Sequence, residues 1–415
     1  MHVEASSIII WAAVAVTIAG LLFRPLRIPE YAWAVAAALL LPLTGALPVA
    51  TFVAAAAEGQ DVYLFLVGMM VLAELARREG VFDWLALYAV QHAAGSGRRL
   101  FDLVFLVGTV VTVLLSNDAT AVVLTPAVYA ACRVAGVTPL PYLFVCAFIA
   151  NAASFVLPIS NPANLVVFGA HMPPLLEWLK QFALPSLAAI AATYAVLRVL
   201  YRREIAQPIS VSPAQQPLSR GGRLAAAGVV FTGTVLVVTS ALNGPLGLMT
   251  FCAGLLSVGV VALAQRRSPL PLLRHVSWSV LPLVAGLFVL VEAVAQTGVI
   301  QQAANALETL ASSSPGQASW LSGVAAALLS NVANNLPVGL AAGSLTQAAD
   351  LPAQVRAALL IGVDLGPNLS VTGSLATLLW LVALRREGEH VGALDFLRVG
   401  ILVMPPALIG ALLLL

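Results

Sequence analysis

Charged residues are scarce in this chain: 9% of its 415 residues are charged, 60% are hydrophobic, and the mean hydropathy is +0.98. A soluble domain carries about a quarter charged residues, so a surface this poor in charge must be covered mostly by lipid. The apolar runs are roughly 20 residues long and do not alternate, which predicts transmembrane helices rather than barrel strands. We therefore expect an all-α integral membrane protein.

Lysine is nearly absent, since Lys180 is the only one, and no GxxxxGK[ST] loop occurs. The lack of that loop argues against ATP hydrolysis by this chain. Cys132, Cys146 and Cys252 are scattered and form no CxxC pair, so neither a disulfide framework nor a metal site is predicted. The sequence thus predicts a protein that is not an enzyme, uses no cofactor or metal, and is surrounded by the lipid bilayer without binding nucleic acid.

Hydropathy divides the chain into two similar halves, residues 1–201 and 224–415, joined by a polar linker at 202–223. Each half is predicted to have five crossings and one re-entrant helical hairpin, which gives about 10 transmembrane helices in all. The hairpins are placed at 100–133 and 317–346, because their arms are about 15 residues long whereas a crossing needs about 20. Polar interruptions break two crossings, at 141–170 and 353–384, and the stretch from Arg77 to Arg99 is predicted to be a polar loop. Since five is an odd number of crossings, the second half must be an inverted repeat.

Residue matches between the halves indicate an internal duplication. The residues that recur 218 positions later are Gly68, Val71, Leu72, Glu74, Gly80 and Val81, and those that recur 214 positions later are Leu115, Ser116, Asn117 and Ala119. The two sets follow one another in the same order in both halves, so we interpret them as one repeat.

Basic residues predict the orientation of the chain. With the N-terminus outside, all of the 20 lysines and arginines except Lys180 and Arg356 face the cytoplasm. Cytoplasmic loops of membrane proteins carry such an excess of basic residues. We therefore expect a multi-pass protein of the bacterial inner membrane with a periplasmic N-terminus.

The hairpin tips and the broken crossings form the predicted site. A helix break frees backbone N–H and C=O groups that are costly in lipid, so it persists only where it lines a protein cavity. Broken helices at matched positions of inverted repeats are typical of transport sites near the midplane. The candidate solute-binding residues are Ser116, Asn117, Asn161, Asn164, Ser330, Asn331, Asn334, Asn335, Asn368 and Thr372. Asp118 and Asp364 are ionisable at bilayer depth and are the candidates for proton coupling.

Structural roles compete with this interpretation at each break. Serine, asparagine and aspartate are good helix caps, the amides at 330–335 could bond neighbouring helices, and Asn161 could repair the kink at Pro162. No basic residue lies at any of the four breaks, which favours a neutral solute with hydrogen-bonding groups over an anion.

Three stretches resemble one family: residues 115–126 from Leu115-Ser116-Asn117-Asp118 to Thr125-Pro126, residues 330–337, and residues 362–380. They are similar to signatures of the ArsB/NhaD group of the ion transporter superfamily, and the last is most similar to the arsenite efflux pumps (ArsB). The resemblance extends over essentially the whole chain. It implies secondary efflux of arsenite and antimonite, in exchange for protons, and a separate ArsA-type ATPase as a partner on the cytoplasmic side.

The resulting hypothesis is that the hairpins and broken crossings form a core that alternates between the two faces, while the other helices form a scaffold. Asp118 and Asp364 would bind a proton outside and release it inside. The nearest alternative is a sodium/proton antiporter of the same group, because two deep carboxylates suit a cation equally well. An intramembrane protease that pairs the same two aspartates, a passive channel, and arsenic coordination by the three thiols are further alternatives.

Overall fold

The computed structural model describes residues 2–23, 25, 28–169, 172–209 and 217–415, and it describes their side chains from Ser6 onward. Within these ranges all regular structure is helical. Arg24 and Arg27 of the predicted cytoplasmic set, residues 210–216 of the predicted linker, and the last residue of the broken crossing at 141–170 lie outside the described part.

The helices before the linker are α1 His2–Phe23, α2 Glu30–Leu43, α3 Val49–Glu58, α4 Gln60–Arg78, α5 Val81–His92, α6 Gly97–Leu114, α7 Asn117–Ala119, α8 Thr125–Ala135, α9 Leu140–Ala152, α10 Pro162–Phe168 and α11 Leu175–Leu200. Those after it are α12 Arg220–Ala241, α13 Leu246–Gln265, α14 Leu270–Leu273, α15 Val280–Gln296, α16 Val299–Ser313, α17 Pro315–Ala333, α18 Asn335–Ala348, α19 Ala353–Leu365, α20 Leu375–Arg386 and α21 Ala393–Leu413. A π-helical turn, Thr120–Leu124, joins α7 to α8, and a 3₁₀ turn, Gly366–Asn368, follows α19.

Six helical stretches of the described residues are long and apolar enough to cross a membrane: Ser6–Phe23, Asn117–Ala135, Leu175–Leu200, Arg220–Ala241, Leu246–Gln265 and Ala393–Leu413. Two bent pairs raise this number to eight: α3 with α4, bent by 43°, and α15 with α16, bent by 71°. Five of the predicted ten crossings correspond to the six stretches without Asn117–Ala135, which is a hairpin arm. The other five correspond to α4 and α15 of the bent pairs, to the short helix α2 and to the two broken crossings. The predicted all-α membrane fold with broken helices is confirmed.

Two segments that hydropathy left unassigned or assigned to a loop are helices. The predicted polar loop from Arg77 to Arg99 contains α5, which buries Val81, Phe82 and other apolar side chains on one side. The prediction was wrong here because charged residues flank a short amphipathic helix. Helix α16 is its counterpart in the second half: each follows a glycine with positive φ, +73° at Gly80 and +81° at Gly298. Each packs against both arms of the hairpin that follows it.

The helices pack in two groups. The first contains α1 to α4 with α12, α13 and α15, and its tightest pair is α4 with α13. A Cβ atom on Gly254 of α13 would lie 2.7 Å from the carbonyl oxygen of Gly68 on α4, so the close approach requires glycine. The second group contains the hairpins and the broken crossings, with α11 and α21 packed against them.

Hydrogen bonds between helix ends define one face of the molecule. The starts of α6 and α9 meet where Tyr142 Oη donates to the Gly97 carbonyl at 3.0 Å, and the ends of α4 and α13 meet where Gln265 Nε2 donates to Glu79 at 2.6 Å. We call this end the basic face, because every described arginine except Arg356 lies at a helix end or loop belonging to it.

The opposite end, which we call the vestibule face, collects the remaining helix ends. Gln181 at the start of α11 donates to the carbonyl of Ala353 at the start of α19, at 2.7 Å. Thr346 near the end of α18 donates to the carbonyl of Val167 near the end of α10, at 3.4 Å. The first hairpin therefore opens to the basic face and the second to the vestibule face, which is the inverted arrangement.

Candidate solute site between the hairpin tips

The tip of the first hairpin is a capped helix start. After α6 ends, the Ser116 side chain accepts a hydrogen bond from the N–H of Ala119 at 3.2 Å, and the Asn117 side chain accepts one from the N–H of Asp118 at 2.9 Å. The returning arm then opens with the π-helical turn, where the hydroxyls of Thr120 and Thr112 lie 2.8 Å apart. Caps of this kind satisfy N–H groups that a helix start leaves without partners.

The second tip lies at the later end of the predicted stretch 330–335. Ser330 and Asn331 are inside α17, where the Ser330 hydroxyl donates to the Ala326 carbonyl at 2.8 Å. The helix reverses at Asn334, which has φ +72° and accepts a hydrogen bond from the N–H of Leu336 at 3.3 Å. A serine with its hydroxyl bonded to the preceding turn does not end a helix, whereas asparagine tolerates the left-handed region.

This position changes the register of the internal repeat. Ser116 and Asn334 both cap the returning arm, and Asn117 and Asn335 are its first residues. Both pairs are 218 positions apart, the spacing of Gly80 and Gly298. The match at a spacing of 214 is therefore not the structural equivalence.

The first broken crossing is interrupted between α9 and α10. Asn161 caps α10 by accepting a hydrogen bond from the N–H of Ala163 at 3.1 Å. The Asn164 side chain donates to the carbonyls of Ser154 and Leu157, at 2.8 and 3.1 Å. Asn164 thus satisfies carbonyls that the break frees, which is a structural role.

The second broken crossing is interrupted between α19 and α20. Ser374 caps α20 by accepting a hydrogen bond from the N–H of Thr377 at 3.3 Å. Asn331 joins the hairpin to this break, since its Nδ2 donates to the Gly366 carbonyl at 2.9 Å and the Thr372 hydroxyl donates to the Asn331 carbonyl at 2.9 Å. Asn331 and Thr372 therefore join the end of α17 to the segment between α19 and α20.

A small central cavity lies where both tips and both breaks meet. Its volume is about 40 Å³, and its walls are formed by Leu66, Asn117, Asp118, Asn161, Pro162, Ala163, Val280, Val284, Asn335, Leu336, Ser374, Leu375 and Ala376. Four of the predicted residues line it: Asn117, Asp118, Asn161 and Asn335. The predicted residues outside its wall are Ser116, Asn164, Ser330, Asn331, Asn334, Asn368, Thr372 and Asp364. No basic side chain is part of the wall.

Four helices begin at this cavity, because α7, α10, α18 and α20 each contribute their first residues or their cap. Helix starts present free N–H groups and a partial positive charge. The cavity therefore combines backbone donors, amide and hydroxyl side chains, and the carboxyl group of Asp118. This set can hydrogen-bond a small polar solute in both directions, as donor and as acceptor.

Asp364 lies behind the cavity wall, on α19. It is completely buried, and its Oδ1 accepts a hydrogen bond from Nδ2 of Asn161 at 2.8 Å. Its other oxygen, Oδ2, is buried without a partner among the described residues. Asn368, one turn further on, pairs with Asn151 of α9 at 2.9 Å rather than facing the cavity. Two further buried hydrogen bonds join the broken crossings, from Asn368 Nδ2 to the carbonyl of Phe148 at 3.1 Å and from Trp380 Nε1 to the carbonyl of Leu143 at 3.0 Å.

Sequence reasoning missed two kinds of residue. Ser374 and Asn151 are part of the site or of its support, and Asn151 is the one amide in the apolar run of α9. Leu66, Val280 and Val284 form the side of the cavity that belongs to the first helix group. No sequence signal distinguishes these apolar residues from others that face lipid or core.

A larger open vestibule, of about 820 Å³, lies on the vestibule face. Glu58, Asp61, Asn243 and Gln347 are among its polar lining residues. Its floor includes Val62, one helical turn of α4 before Leu66 in the central cavity. One helical turn therefore separates the vestibule from the central cavity in this conformation.

Comparison with known proteins identifies the family. Residues 8–362 match the model of the CitMHS family, which is described as citrate transporter. This chain belongs to the citrate transporter family. Members of this family are membrane transporters, so the chain is a multi-pass transporter and not an enzyme.

Curated relatives agree with the family assignment. The chain is 29% identical over 355 residues to the "Arsenical pump membrane protein" of Yersinia enterocolitica, and 28% identical over 359 residues to the protein of that name from Escherichia coli K12; each alignment covers 82% of both chains. It is 27% identical over 362 residues to an uncharacterised transporter of Mycobacterium tuberculosis, with 84% of each chain covered.

Two solved transporters of the same fold are similar in structure. The YdaH transporter of Alcanivorax borkumensis superimposes with a TM-score of 0.57 at 15% identity, covering 92% of this chain and 96% of that one. MtrF of Neisseria gonorrhoeae superimposes with a TM-score of 0.54 at 16% identity, covering 91% of this chain and 83% of that one. At this identity the likeness concerns the fold alone.

Proposed function

We propose that this transporter exports arsenite and antimonite, as their neutral trihydroxides, in exchange for protons. The observation that carries the proposal is the central cavity, where the two hairpin tips and the two breaks bring together amides, a hydroxyl and the carboxyl group of Asp118 without a basic side chain. The name of the curated relatives, arsenical pump membrane protein, supports the same class of solute.

A trihydroxide suits this wall because each of its hydroxyls both donates and accepts hydrogen bonds. Asn117, Asn161 and Asn335 offer N–H donors and carbonyl acceptors, and Ser374 adds a hydroxyl. Citrate, the solute in the family's description, carries several carboxylates, and carboxylates are usually recognised by arginine in bidentate pairs. The wall of the cavity lacks such a residue, which favours the neutral solute.

Proton coupling is assigned to the two deep carboxyl groups. Asp118 is in direct contact with the cavity, so a bound proton and a bound solute compete for the same few polar groups. Asp364 is joined to the cavity wall through Asn161. Charged groups at this depth are costly and are usually retained for function.

The proposed setting is the bacterial inner membrane, with the basic face in the cytoplasm and the N-terminus outside. Both hairpins then re-enter the membrane, the first from the cytoplasm and the second from the periplasm. The positive-inside rule supports this orientation, because Lys180 and Arg356 are the basic residues of the vestibule face among those described. A separate ArsA-type ATPase would dock on the basic face.

Arsenite uptake into everted membrane vesicles with an acidified lumen tests the proposal. We expect proton-driven uptake by the wild type, and at least a tenfold loss in Asp118→Asn and in Asp364→Asn. Asp395→Asn is the matched control, because Asp395 is exposed and pairs with Arg398 at the surface. Full proton-driven uptake in both Asp118→Asn and Asp364→Asn would show that these two aspartates do not carry the protons.

The same vesicles separate the alternatives. Proton flux stimulated by sodium but not by arsenite would favour a cation antiporter, which Asp118 would also suit. Uptake of citrate in place of arsenite would favour the solute of the family's description. Arsenite flux that never exceeds equilibrium under a proton gradient would indicate a passive channel.

A further inference from the structure

Asp364 has no direct access to the central cavity, although it is one of the two deep carboxylates. Its side chain is fully buried, and it is absent from the cavity wall, whereas its partner Asn161 is part of that wall. The only hydrogen bond of the Asp364 carboxyl among the described residues is the one from Asn161, at 2.8 Å. Any exchange between the solute and Asp364 must therefore pass through Asn161.

Two partners fix the orientation of the Asn161 amide. Its oxygen accepts the N–H of Ala163 at 3.1 Å, and its nitrogen donates to Asp364 at 2.8 Å. The reversed amide would point its NH₂ group at the N–H of Ala163 and its oxygen at the carboxylate, so both contacts would be repulsive. The NH₂ group has a second hydrogen, which remains for a ligand in the cavity.

We propose that Asn161 is the positioning residue that transmits the protonation state of Asp364 to the solute site. This inference rests on the proposed function. The ionised carboxylate holds the Asn161 N–H in a charge-assisted hydrogen bond. When a proton binds to Oδ2, the oxygen without a partner, the carboxyl group becomes neutral and that bond weakens. Asn161 can then turn its donor toward the cavity, and loss of the proton to water restores the first state.

Few other titratable groups face this pair. Helices α10, α17 and α18, which pack against α19, carry none in their described spans. Helix α9 carries Tyr142 and Cys146, α21 carries Asp395 and Arg398 near its start, and α19 itself carries Arg356 at its first turn. None of these groups bonds to Asp364 within the described residues, and Asp118 is the other carboxyl group at the cavity.

The sharpest variant is Asn161→Ser, because serine preserves the helix cap while removing the amide donor. The measurement is the lumen pH that gives half-maximal arsenite uptake in everted vesicles. We expect this pH to rise by about one unit, because the ionised carboxylate loses its donor and so binds the proton more tightly. Asn161→Thr is the second capping variant, for use where the serine variant inserts poorly.

Asn151→Ser is the matched control. Asn151 is also a buried amide that joins the two broken crossings, but its partner is Asn368 and not a carboxylate. We expect its pH midpoint to equal that of the wild type even where its rate falls. In an Asp364→Asn background, Asn161→Ser should shift the pH midpoint of the residual uptake no further, because the coupling it transmits is already gone.

Three outcomes bear on the inference. An unchanged pH midpoint in the capping variants, with a raised half-saturation for arsenite, would overturn it and leave Asn161 as a solute ligand. A further shift of the pH midpoint on top of Asp364→Asn would overturn it as well. Wild-type vesicles that move no arsenite would instead defeat the proposed function, so the two failures are distinguishable.

Discussion

The backbone N–H of Asn335 donates a hydrogen bond of 2.8 Å to the carbonyl of Gly373, and this bond joins the second hairpin tip to the second break. In the first half the N–H of Asn117 donates to the carbonyl of Ser160 at 3.1 Å. In both halves the donor is the first residue of the returning arm, and the acceptor directly precedes the cap of the next helix. Each bond satisfies an N–H that its own helix cannot, and it fixes a tip against a break.

The substitution Gly373→Ala should disrupt this contact. A Cβ atom at this position would lie 2.5 Å from Cα of Pro367 and 2.9 Å from Oδ1 of Asn331, so the break must shift. Overpacking of this kind typically costs about 1–3 kcal/mol, and we expect the rate of arsenite uptake in vesicles to fall about tenfold or more. Gly259→Ala in α13 meets nothing within 4 Å and should remain within about twofold of the wild type. Equal rates in the two variants would contradict this role of Gly373.

The buried pair of Asn151 and Asn368 should contribute to stability. Asn368→Ala leaves the Asn151 NH₂ group without its acceptor, and an unsatisfied buried polar group costs about 1–3 kcal/mol. Thermal unfolding in detergent should show a lower midpoint for this variant. The double variant with Asn151→Ala should lose less than the sum of the single losses, because the two residues share one interaction. Strict additivity would mean that the bond contributes nothing of its own.

A variant in which Cys132, Cys146 and Cys252 are all replaced by alanine should transport arsenite at a rate within about threefold of the wild type. None of the three lines the central cavity, and the first two are buried elsewhere. The remaining loss reflects packing, since a buried thiol behaves as a small apolar group. Resistance of a pump-deficient host and vesicle uptake both measure this, and a dead but correctly inserted variant would favour thiol coordination.

Single cysteines, introduced into the variant that lacks Cys132, Cys146 and Cys252, should report the orientation of the chain in the membrane when they are labelled. Asn243 and Ser268 lie just beyond the two ends of α13, and both are exposed. With the N-terminus outside, a charged maleimide should label Asn243→Cys in intact spheroplasts and Ser268→Cys only in everted vesicles. The reverse pattern would show that the basic face is external.

The sequence predicted best those features that would be energetically costly if they were exposed to lipid. Polar residues such as Ser116 and Pro162 interrupt apolar runs, and lipid tolerates such interruptions only inside a protein, so both the first tip and the first break lie where expected. The second tip lies within the predicted stretch 330–335, but at Asn334 rather than at Ser330 and Asn331, because a helix can absorb those two residues by bonding to its own preceding turn.

Side-chain direction is what the sequence could not provide. Asn117 and Asn164 are both asparagines near an interruption of an apolar run, yet one lines the cavity and the other faces backbone carbonyls. The partnership of Asn161 with Asp364 spans 203 positions and depends on the packing of two inverted halves. Hydropathy also assigned α5 to a loop, because a short amphipathic helix has no long apolar run.

The central cavity, at about 40 Å³, is small beside the vestibule of about 820 Å³, and one helical turn of α4 separates the two. A solute that enters from the vestibule must pass this turn, so the hairpin tips must first move apart from the helix group that carries Leu66, Val280 and Val284. The free energy of that opening reduces the net free energy of solute binding. The apparent affinity is therefore lower than the affinity of the open state, in proportion to the fraction of molecules that are open. Weak binding at rest would then reflect a closed shape and not a poor match of chemical groups.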